Sequence, residues 1–220
     1  MQKIFQKTLK DTMYYKDNPI FIYEINYPYF TTTCSTTSAN YINNYYAHNA
    51  KSTEEYCRTV LYPQALESAR YIPNTQPFNS YTLTVEYKIT YNSDCITSLF
   101  MDTYTYMGGA HDATTRTSYT WNFKTGEQLL LSDFYPITPY SLFSLQQNIA
   151  NQITERLKVT PDSYFDNYKT LLKNVFNPKN FYLTPKGLVI YFQQYDIAPY
   201  ASGLPEFSIP LRHSSPNTSV

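Results

Sequence analysis

The residue types most capable of chemistry stand together in one short segment, Met107–Asp112, with the sequence MGGAHD. The pair Gly108–Gly109 permits positive φ angles or a close backbone approach, which is informative in a chain with only 5 glycines. One hypothesis makes His111 a general base or a ligand, with Asp112 or Asp102 orienting its second ring nitrogen. The alternative, which we favour, is a structural turn whose imidazole bonds to backbone groups. The two glycines, His111 and Asp112 are therefore candidate binding residues.

A second candidate is the long connection Gln193–Gly203, which joins two apolar stretches. It is too long for a tight turn, and its mixture of polar and aromatic residues is typical of loops that display binding contacts. Its candidate binding residues are Tyr195, Asp196 and Tyr200. A loop packed onto a sheet edge by its two tyrosines is the alternative, and both interpretations stay open.

Familiar catalytic motifs are absent from the sequence. The 3 histidines are far apart, and neither HxxxH nor HExxH occurs. There is also no GxSxG elbow, no SxxK pair, and no GxxxxGK or GxGxxG phosphate loop. We therefore expect no catalytic residues, no metal and no cofactor. A hydrolase that combines His111 with Asp112, Asp102 or Glu206 is the more distant alternative.

Charge and hydropathy narrow the class of partner. The 17 basic and 17 acidic side chains give a formal net charge of zero, and neither sign forms a run. The sequence therefore predicts no nucleic-acid partner and no polybasic membrane-binding segment. No apolar run reaches 18 residues, so no transmembrane segment is predicted. Residues 1–11 lack the apolar core of a signal peptide, which leaves a cytoplasmic protein or an export segment outside this sequence.

Aromatic residues and cysteines are the unusual parts of the composition. The 25 tyrosines suit half-buried sheet faces, with a minority on a binding face. The 3 cysteines are not within metal-ligand spacing of one another, and an odd number leaves one thiol unpaired within the chain. A Cys34–Cys57 disulfide is one possibility in an oxidising compartment. Three small buried side chains are the other.

Strict alternation predicts an antiparallel β-meander in the middle of the chain. Apolar and aromatic residues occupy the odd positions from 81 to 91, with polar residues between them. Turn residues at 92–94 lead into a second strand over Ile96–Tyr106, and a third strand carries Trp121 and Phe123. Further strands are predicted over 19–30, 129–131, 181–183, 188–192 and 207–211.

Apolar spacings of three and four predict helices on both sides of the meander. Ser38 is the predicted cap of a helix that turns Ile42, Tyr45 and Tyr46 inward. A capping box at Ser52 then indicates either a second helix or one bent helix that reaches Arg70, with a kink at Pro63. A helix over 142–157 and another over 160–175 follow. The predicted fold is α+β, an antiparallel β-meander packed against helices, in two lobes.

Two dense groups of motifs resemble the DUF3298 family. The first consists of YxGGAH at 106–111 and WNFxTGxxLxLxDF at 121–134. The second consists of FYLTxxGLxIYF at 181–192, YxIAPYAxG at 195–203 and FxIP at 207–210. The N-terminal half resembles, more loosely, the DUF4163 or PdaC-type domain that precedes it in many envelope proteins. The resemblance covers residues 15–212.

The resemblance implies a DUF4163/PdaC-like part over residues 15–106, a DUF3298-like part over 107–212 and a flexible tail over 213–220. The family includes the extracellular part of RsiV-type anti-sigma factors, which are lysozyme receptors, and the non-catalytic region of peptidoglycan deacetylases. It supplies no catalytic residues to carry over. It implies an extracytoplasmic chain, secreted or membrane-anchored through a segment that is not in this sequence.

We therefore expect a non-catalytic cell-envelope binding or sensor domain that recognises lysozyme or another protein. A peptidoglycan- or glycan-binding module is the alternative, in which exposed tyrosines stack on sugar rings.

Overall fold

The computed structural model describes residues 1–71 and 78–210 and divides them into two compact units. Unit 1 comprises Met1–Thr117 and Trp121–Gln128, and unit 2 comprises Ser118–Thr120 together with the chain from Leu129 onward. The predicted α+β fold in two lobes is confirmed. The boundary predicted after residue 106 stays a prediction, and the predicted tail lies outside the described residues.

A six-stranded sheet in the order β1-β2-β3-β4-β5-β6 confirms the predicted meander. The pairs β1–β2, β3–β4 and β5–β6 are antiparallel, while β2 and β3 are parallel over Phe21–Ile25. A short strand predicted at residues 129–131 lies two residues earlier, and Leu131 instead begins a 3₁₀ turn. The strands are β1 (Lys3–Tyr15), β2 (Asn18–Thr31), β3 (Tyr81–Ser93), β4 (Ile96–Tyr106), β5 (Ala113–Asn122) and β6 (Glu127–Gln128).

Strand β1 is the element that the sequence analysis did not predict. It lies at the edge of the sheet, and most of its side chains are exposed or only half-buried. An edge strand with little buried surface lacks a strong apolar alternation, which was the signal used for the other strands. Its connection to β2 is a two-residue turn, Lys16–Asp17, with φ angles of 47° and 65°.

One long, bent helical segment follows β2. Helix α1 (Thr36–Tyr56) continues through a π-helical turn at Cys57–Leu61 into α2 (Tyr62–Tyr71). The bent-helix alternative is therefore the one found, and the capping box at Ser52 was wrong because the helix runs through it. The irregular turn comes just before Pro63, whose nitrogen has no hydrogen to donate to the preceding turn.

Helix α1 begins earlier than predicted. The hydroxyl of Ser35 accepts a hydrogen bond from the Ser38 amide at 3.2 Å, so Ser35 is the cap and Ser38 is buried in the first turn. The predicted inward residues Ile42 and Tyr46 are fully buried. The indole N–H of Trp121 donates to the Tyr46 hydroxyl at 2.8 Å, which connects the helix to the end of β5.

The disulfide joins Cys34 to Cys95, and the possible Cys34–Cys57 bridge was wrong. Cys57 points into the core of unit 1, where burial raises the pKa of its thiol to about 12. Cys95 lies in the turn between β3 and β4, and its carbonyl accepts a bond from the Phe123 amide at 2.7 Å. Sheet pairing brings these distant residues together, so their spacing in sequence could not indicate the pair.

Unit 2 contains helices α3 (Pro139–Leu157) and α4 (Tyr168–Asn174) and an antiparallel sheet in the order β7-β8-β9. The stripe of α3 is buried at Leu145, Ile149 and Ile153, as predicted. The helix predicted from Thr160 begins eight residues later, because Asp162 has a φ of 64° that an α-helix does not accommodate. The strands are β7 (Phe181–Thr184), β8 (Gly187–Tyr191) and β9 (Glu206–Ile209).

Candidate functional site

The glycine pair lies in the connection between β4 and β5, in unit 1. Gly108 and Gly109 have φ angles of 88° and 99°, which residues other than glycine rarely adopt. A Cβ atom added to Gly108 would lie 2.8 Å from the hydroxyl oxygen of Tyr81, whereas nothing lies within 4 Å of one added to Gly109. The conformation at Gly108 therefore favours glycine, and a side chain there would also have to displace the Tyr81 hydroxyl.

His111 is exposed, and its Nδ1 atom lies 3.3 Å from the backbone carbonyl oxygen of the half-buried Asp112. This contact is of the kind that the structural-turn interpretation expects. A binding role for the segment stays a prediction. Replacing His111 with alanine tests it, because lost binding at unchanged stability would contradict a purely structural turn.

Asp102, which the hydrolase hypothesis gave as a partner for His111, forms an ion pair with Arg116 instead. Both of its carboxylate oxygens accept hydrogen bonds from Arg116, each at 2.6 Å, and both side chains are buried. The Arg116 guanidinium also lies 3.6 Å from the ring centre of Phe100. Glu206, the other suggested carboxylate, belongs to unit 2, whereas His111 belongs to unit 1.

Tyr104 borders the Asp102–Arg116 pair. Burial raises the pKa of its hydroxyl, and the negative charges of Asp102 and Glu86 raise it further. The group is therefore a neutral hydrogen-bond donor at neutral pH.

The loop over residues 193–203 is held in place by its own backbone and by neighbouring unit 2 residues. The carboxylate of Asp196 accepts a hydrogen bond from the Gln193 amide at 2.8 Å, and burial raises the pKa of that carboxyl. Ile197 and Ala198 are buried and anchor the loop. The predicted site residues Tyr195 and Tyr200 lie together, with ring centres 6.2 Å apart.

Tyr195 is 54% exposed and has a φ of 65°, so its ring stands at the surface of unit 2. The loop therefore unites three predicted site residues: Tyr195, Asp196 and Tyr200. The other four predicted site residues, Gly108, Gly109, His111 and Asp112, belong to unit 1.

An exposed apolar patch around the first turns of α3 was not predicted from the sequence. Ile137 is 41% exposed, Tyr140 83% and Phe143 54%. Tyr140 and Phe143 are three residues apart and lie off the buried stripe of the same helix. The positions of Tyr140 and Phe143, outside the apolar stripe of α3, were the signal in the sequence that could have identified the patch.

An open groove lies along the C-terminal half of α3, within unit 2. It has a volume of about 660 Å³ and is bounded partly by Arg156, Ser163 and Tyr164. The Arg156 guanidinium donates to the Tyr164 hydroxyl at 2.8 Å and to the Glu206 carbonyl at 2.7 Å. A second hollow of about 540 Å³ adjoins it at Arg156 and adds amide side chains, including Gln152.

Within residues 1–71 and 78–210, no three His, Cys, Asp or Glu side chains are grouped so that they could hold a metal ion. In the same part of the chain, no helix combines the length and apolar character that membrane crossing needs.

Comparison with known families matches two regions of the chain. A model described as "Deacetylase PdaC" matches residues 15–114, and one described as "Protein of unknown function (DUF3298)" matches residues 137–212. None of the curated proteins matches the chain.

Solved structures show that the fold is shared with proteins from two bacteria. A member of the DUF3298 family from Bacteroides fragilis NCTC 9343 is 22% identical, with a TM-score of 0.70 over 95% of this chain and 90% of that one. A DUF3298 family protein from Pseudomonas aeruginosa PAO1 is 16% identical, with a TM-score of 0.60 over 96% and 90%. At these identities the likeness concerns the fold.

Proposed function

Because the chain carries a PdaC-type region over residues 15–114 and a DUF3298 region over 137–212, we propose that it is a non-catalytic, extracytoplasmic binding domain of the cell envelope. Its partner is another protein, and c-type lysozyme is the first candidate, through the resemblance to RsiV-type receptors. The observation that carries the extracytoplasmic part of the proposal is the Cys34–Cys95 disulfide.

The disulfide supports the compartment. Structural disulfides persist in oxidising surroundings such as the cell surface and are rare in the bacterial cytosol. This one joins the residue just before α1 to the turn between β3 and β4, and it closes a sequence separation of 61 residues. Such a bond is part of the tertiary structure of unit 1.

The exposed patch of Ile137, Tyr140 and Phe143 supports protein recognition. Large apolar side chains that cluster on a surface mark interaction sites, and aromatic residues are enriched among those that dominate binding energies. The Tyr195–Tyr200 pair adds a second aromatic surface on the same unit.

A direct binding assay tests the proposal. Calorimetry with the oxidised chain and c-type lysozyme should give measurable affinity, and the Tyr140→Ala/Phe143→Ala variant should bind at least about tenfold more weakly. Tyr71→Ala is the matched control, because Tyr71 is 82% exposed on unit 1 and its loss should leave affinity unchanged. No affinity at high micromolar lysozyme would eliminate lysozyme as the partner.

The groove along α3 supports peptidoglycan binding as the second candidate. Amide, hydroxyl and guanidinium groups beside a tyrosine ring match the hydrogen-bonding hydroxyls and apolar faces of sugars. Sedimentation with purified cell wall tests this function, with Tyr164→Ala expected to reduce retention and Tyr71→Ala to leave it unchanged. Equal retention of both variants would contradict a role for the groove.

A further inference from the structure

Strand β1 is the terminal strand of the six-stranded sheet, so one of its two edges has no neighbouring strand among residues 1–71 and 78–210. We propose that this edge, from Ile4 to Lys10, is a strand-addition site for an extended acidic segment of another protein. The site belongs to unit 1, whereas the surfaces discussed above belong to unit 2, and it does not depend on which partner those surfaces bind.

Pro28 identifies the backbone groups that face the open edge. It lies opposite Gln6 in the β1–β2 register, and proline has no N–H group, so the two residues cannot exchange a pair of hydrogen bonds. The backbone N–H and C=O of Gln6 therefore point away from β2. The register is continuous up to Met13, so Ile4, Thr8 and Lys10 have the same orientation.

These four residues have no backbone hydrogen bond beyond the β1–β2 ladder within the described part of the chain. Residues 3–8 are almost all exposed. Their outward N–H and C=O groups can pair with an added strand, which is how extended peptides bind to sheet edges.

Both ends of the same edge are already occupied. At the start of β1, the Gln2 amide donates to Asn92 Oδ1 at 3.1 Å and the Gln2 carbonyl accepts from Asn92 Nδ2 at 2.9 Å. The Thr12 amide donates to the Asp11 carboxylate at 2.8 Å, and the Tyr62 hydroxyl donates to the Tyr14 carbonyl at 3.0 Å. Arg58 holds Asp11 in place at 2.6 Å. The open stretch thus has seven residues, Ile4–Lys10, and is about 23 Å long at the usual strand rise.

The side chains beside the open stretch favour an acidic, partly apolar partner. Lys3 and Lys7 are exposed and flank Phe5, which is 51% exposed, at alternate positions on one face. Phe5 lies opposite Tyr29, and the Lys7 ammonium is 5.4 Å from the Tyr29 ring centre. Acidic residues on either side of an apolar residue in the added strand would complement this face.

The acidic side chains near the open stretch do not remove this preference for an acidic partner. Lys10 lies opposite Glu24 on the other face of the ribbon, and the Asp11 carboxylate is engaged by Arg58. A second copy of this chain would bring two lysine-bearing edges together, and lysine on edge strands opposes such self-pairing. The complementary occupant is therefore an acidic strand from a different protein.

Hydrogen exchange on the full chain tests the proposal with an acetylated and amidated heptapeptide in which glutamate alternates with valine. Bound peptide should slow exchange at the amides of Ile4, Gln6, Thr8 and Lys10 by at least about tenfold. The amides of Phe5 and Lys7, which pair with β2, should change little and serve as an internal control.

Charge reversal supplies the matched comparison. Lys3→Glu/Lys7→Glu should weaken peptide binding at least about tenfold, while Lys179→Glu/Lys186→Glu, which makes the same change in net charge on unit 2, should not. Equal weakening by both variants, or protection elsewhere in the chain, would overturn the proposal. So would the same protection from heparin, which lacks a peptide backbone, or protection that grows with protein concentration without peptide.

Discussion

At the scale of single residues, Gly108 meets two constraints that one methyl group would violate. Its φ of 88° lies in the region that glycine alone enters at no steric cost, and Tyr81 occupies the space where a side chain would begin. Gly109 shares the conformation but not the crowding. Substituting each glycine in turn can therefore distinguish the cost of backbone strain from the cost of steric overlap.

We expect Gly108→Ala to lower the free energy of unfolding by roughly 2 kcal/mol or more, because strain and overlap add. Gly109→Ala should cost only about 1 kcal/mol, since it introduces the strain alone. Urea unfolding of both variants measures the difference. Equal losses for the two would show that Tyr81 moves aside without cost.

The carboxyl group of Asp196 makes the stability of the protein depend on pH. Burial raises the pKa of its carboxyl above the ordinary value of 3.8, so the folded state binds the proton more tightly than the unfolded state. The associated stability is present below that ordinary value and is lost as the pH rises through the folded pKa. Asp196→Asn keeps an acceptor for the Gln193 amide but removes the charge.

The Asp196→Asn variant should therefore gain stability relative to the native chain as the pH rises from the ordinary value of 3.8 through the folded pKa of Asp196, and should keep that gain at higher pH. Thermal unfolding at several pH values measures it. A gain that grows instead as the pH falls would contradict the assigned direction of the pKa shift.

At the scale of elements, the Cys34–Cys95 bond connects the start of α1 with the β3–β4 turn. Cys95 and the preceding Asp94 both have positive φ angles, as the two-residue turn of an antiparallel hairpin requires. The bond therefore holds a turn of defined geometry against the helix. Its loss should act on unit 1 as a whole.

Cys34→Ser/Cys95→Ser should lower the free energy of unfolding by about 2–4 kcal/mol, because the unfolded chain regains a long flexible loop. Each single serine variant should lose a similar amount, since either one breaks the same bond. Thiol titration provides the chemical check. When the unmutated chain is denatured without a reducing agent, one thiol per chain should react, that of Cys57. Three reactive thiols would contradict the assigned pairing.

At the scale of the whole molecule, the chain enters unit 2 twice. Ser118–Thr120, in the middle of β5, belongs to unit 2, and the chain returns to that unit at Leu129. The Ser118 hydroxyl donates to the Phe181 carbonyl at 2.5 Å and accepts from the Tyr191 hydroxyl at 3.1 Å. Unit 2 is therefore incomplete without a segment from β5.

A fragment of residues 129–220 should melt about 5–10 °C lower than one of residues 112–220, or lose cooperativity, because it lacks these buried hydrogen bonds. Circular dichroism on the two purified fragments measures the difference. Identical melting curves would show that Ser118–Thr120 contributes nothing to the stability of unit 2.

The elements with a local signal could be predicted from the amino-acid sequence alone. Strict alternation located β3, and the turn residues after it located β4. The apolar stripe from Leu142 to Leu157 located α3, because a buried face imposes its period on the residues that form it. The glycine turn and the Tyr195–Tyr200 loop were also predicted, since their residue types reflect local backbone needs.

The contacts between residues distant in the chain became visible only in the folded structure. The partner of Cys34, the commitment of Asp102 to Arg116 and the existence of β1 all depend on strand pairing. Pairing is set by contacts between residues far apart in the chain, and those contacts have no period along it. The surface patch at Tyr140 likewise became visible only when the burial of each side of α3 was known.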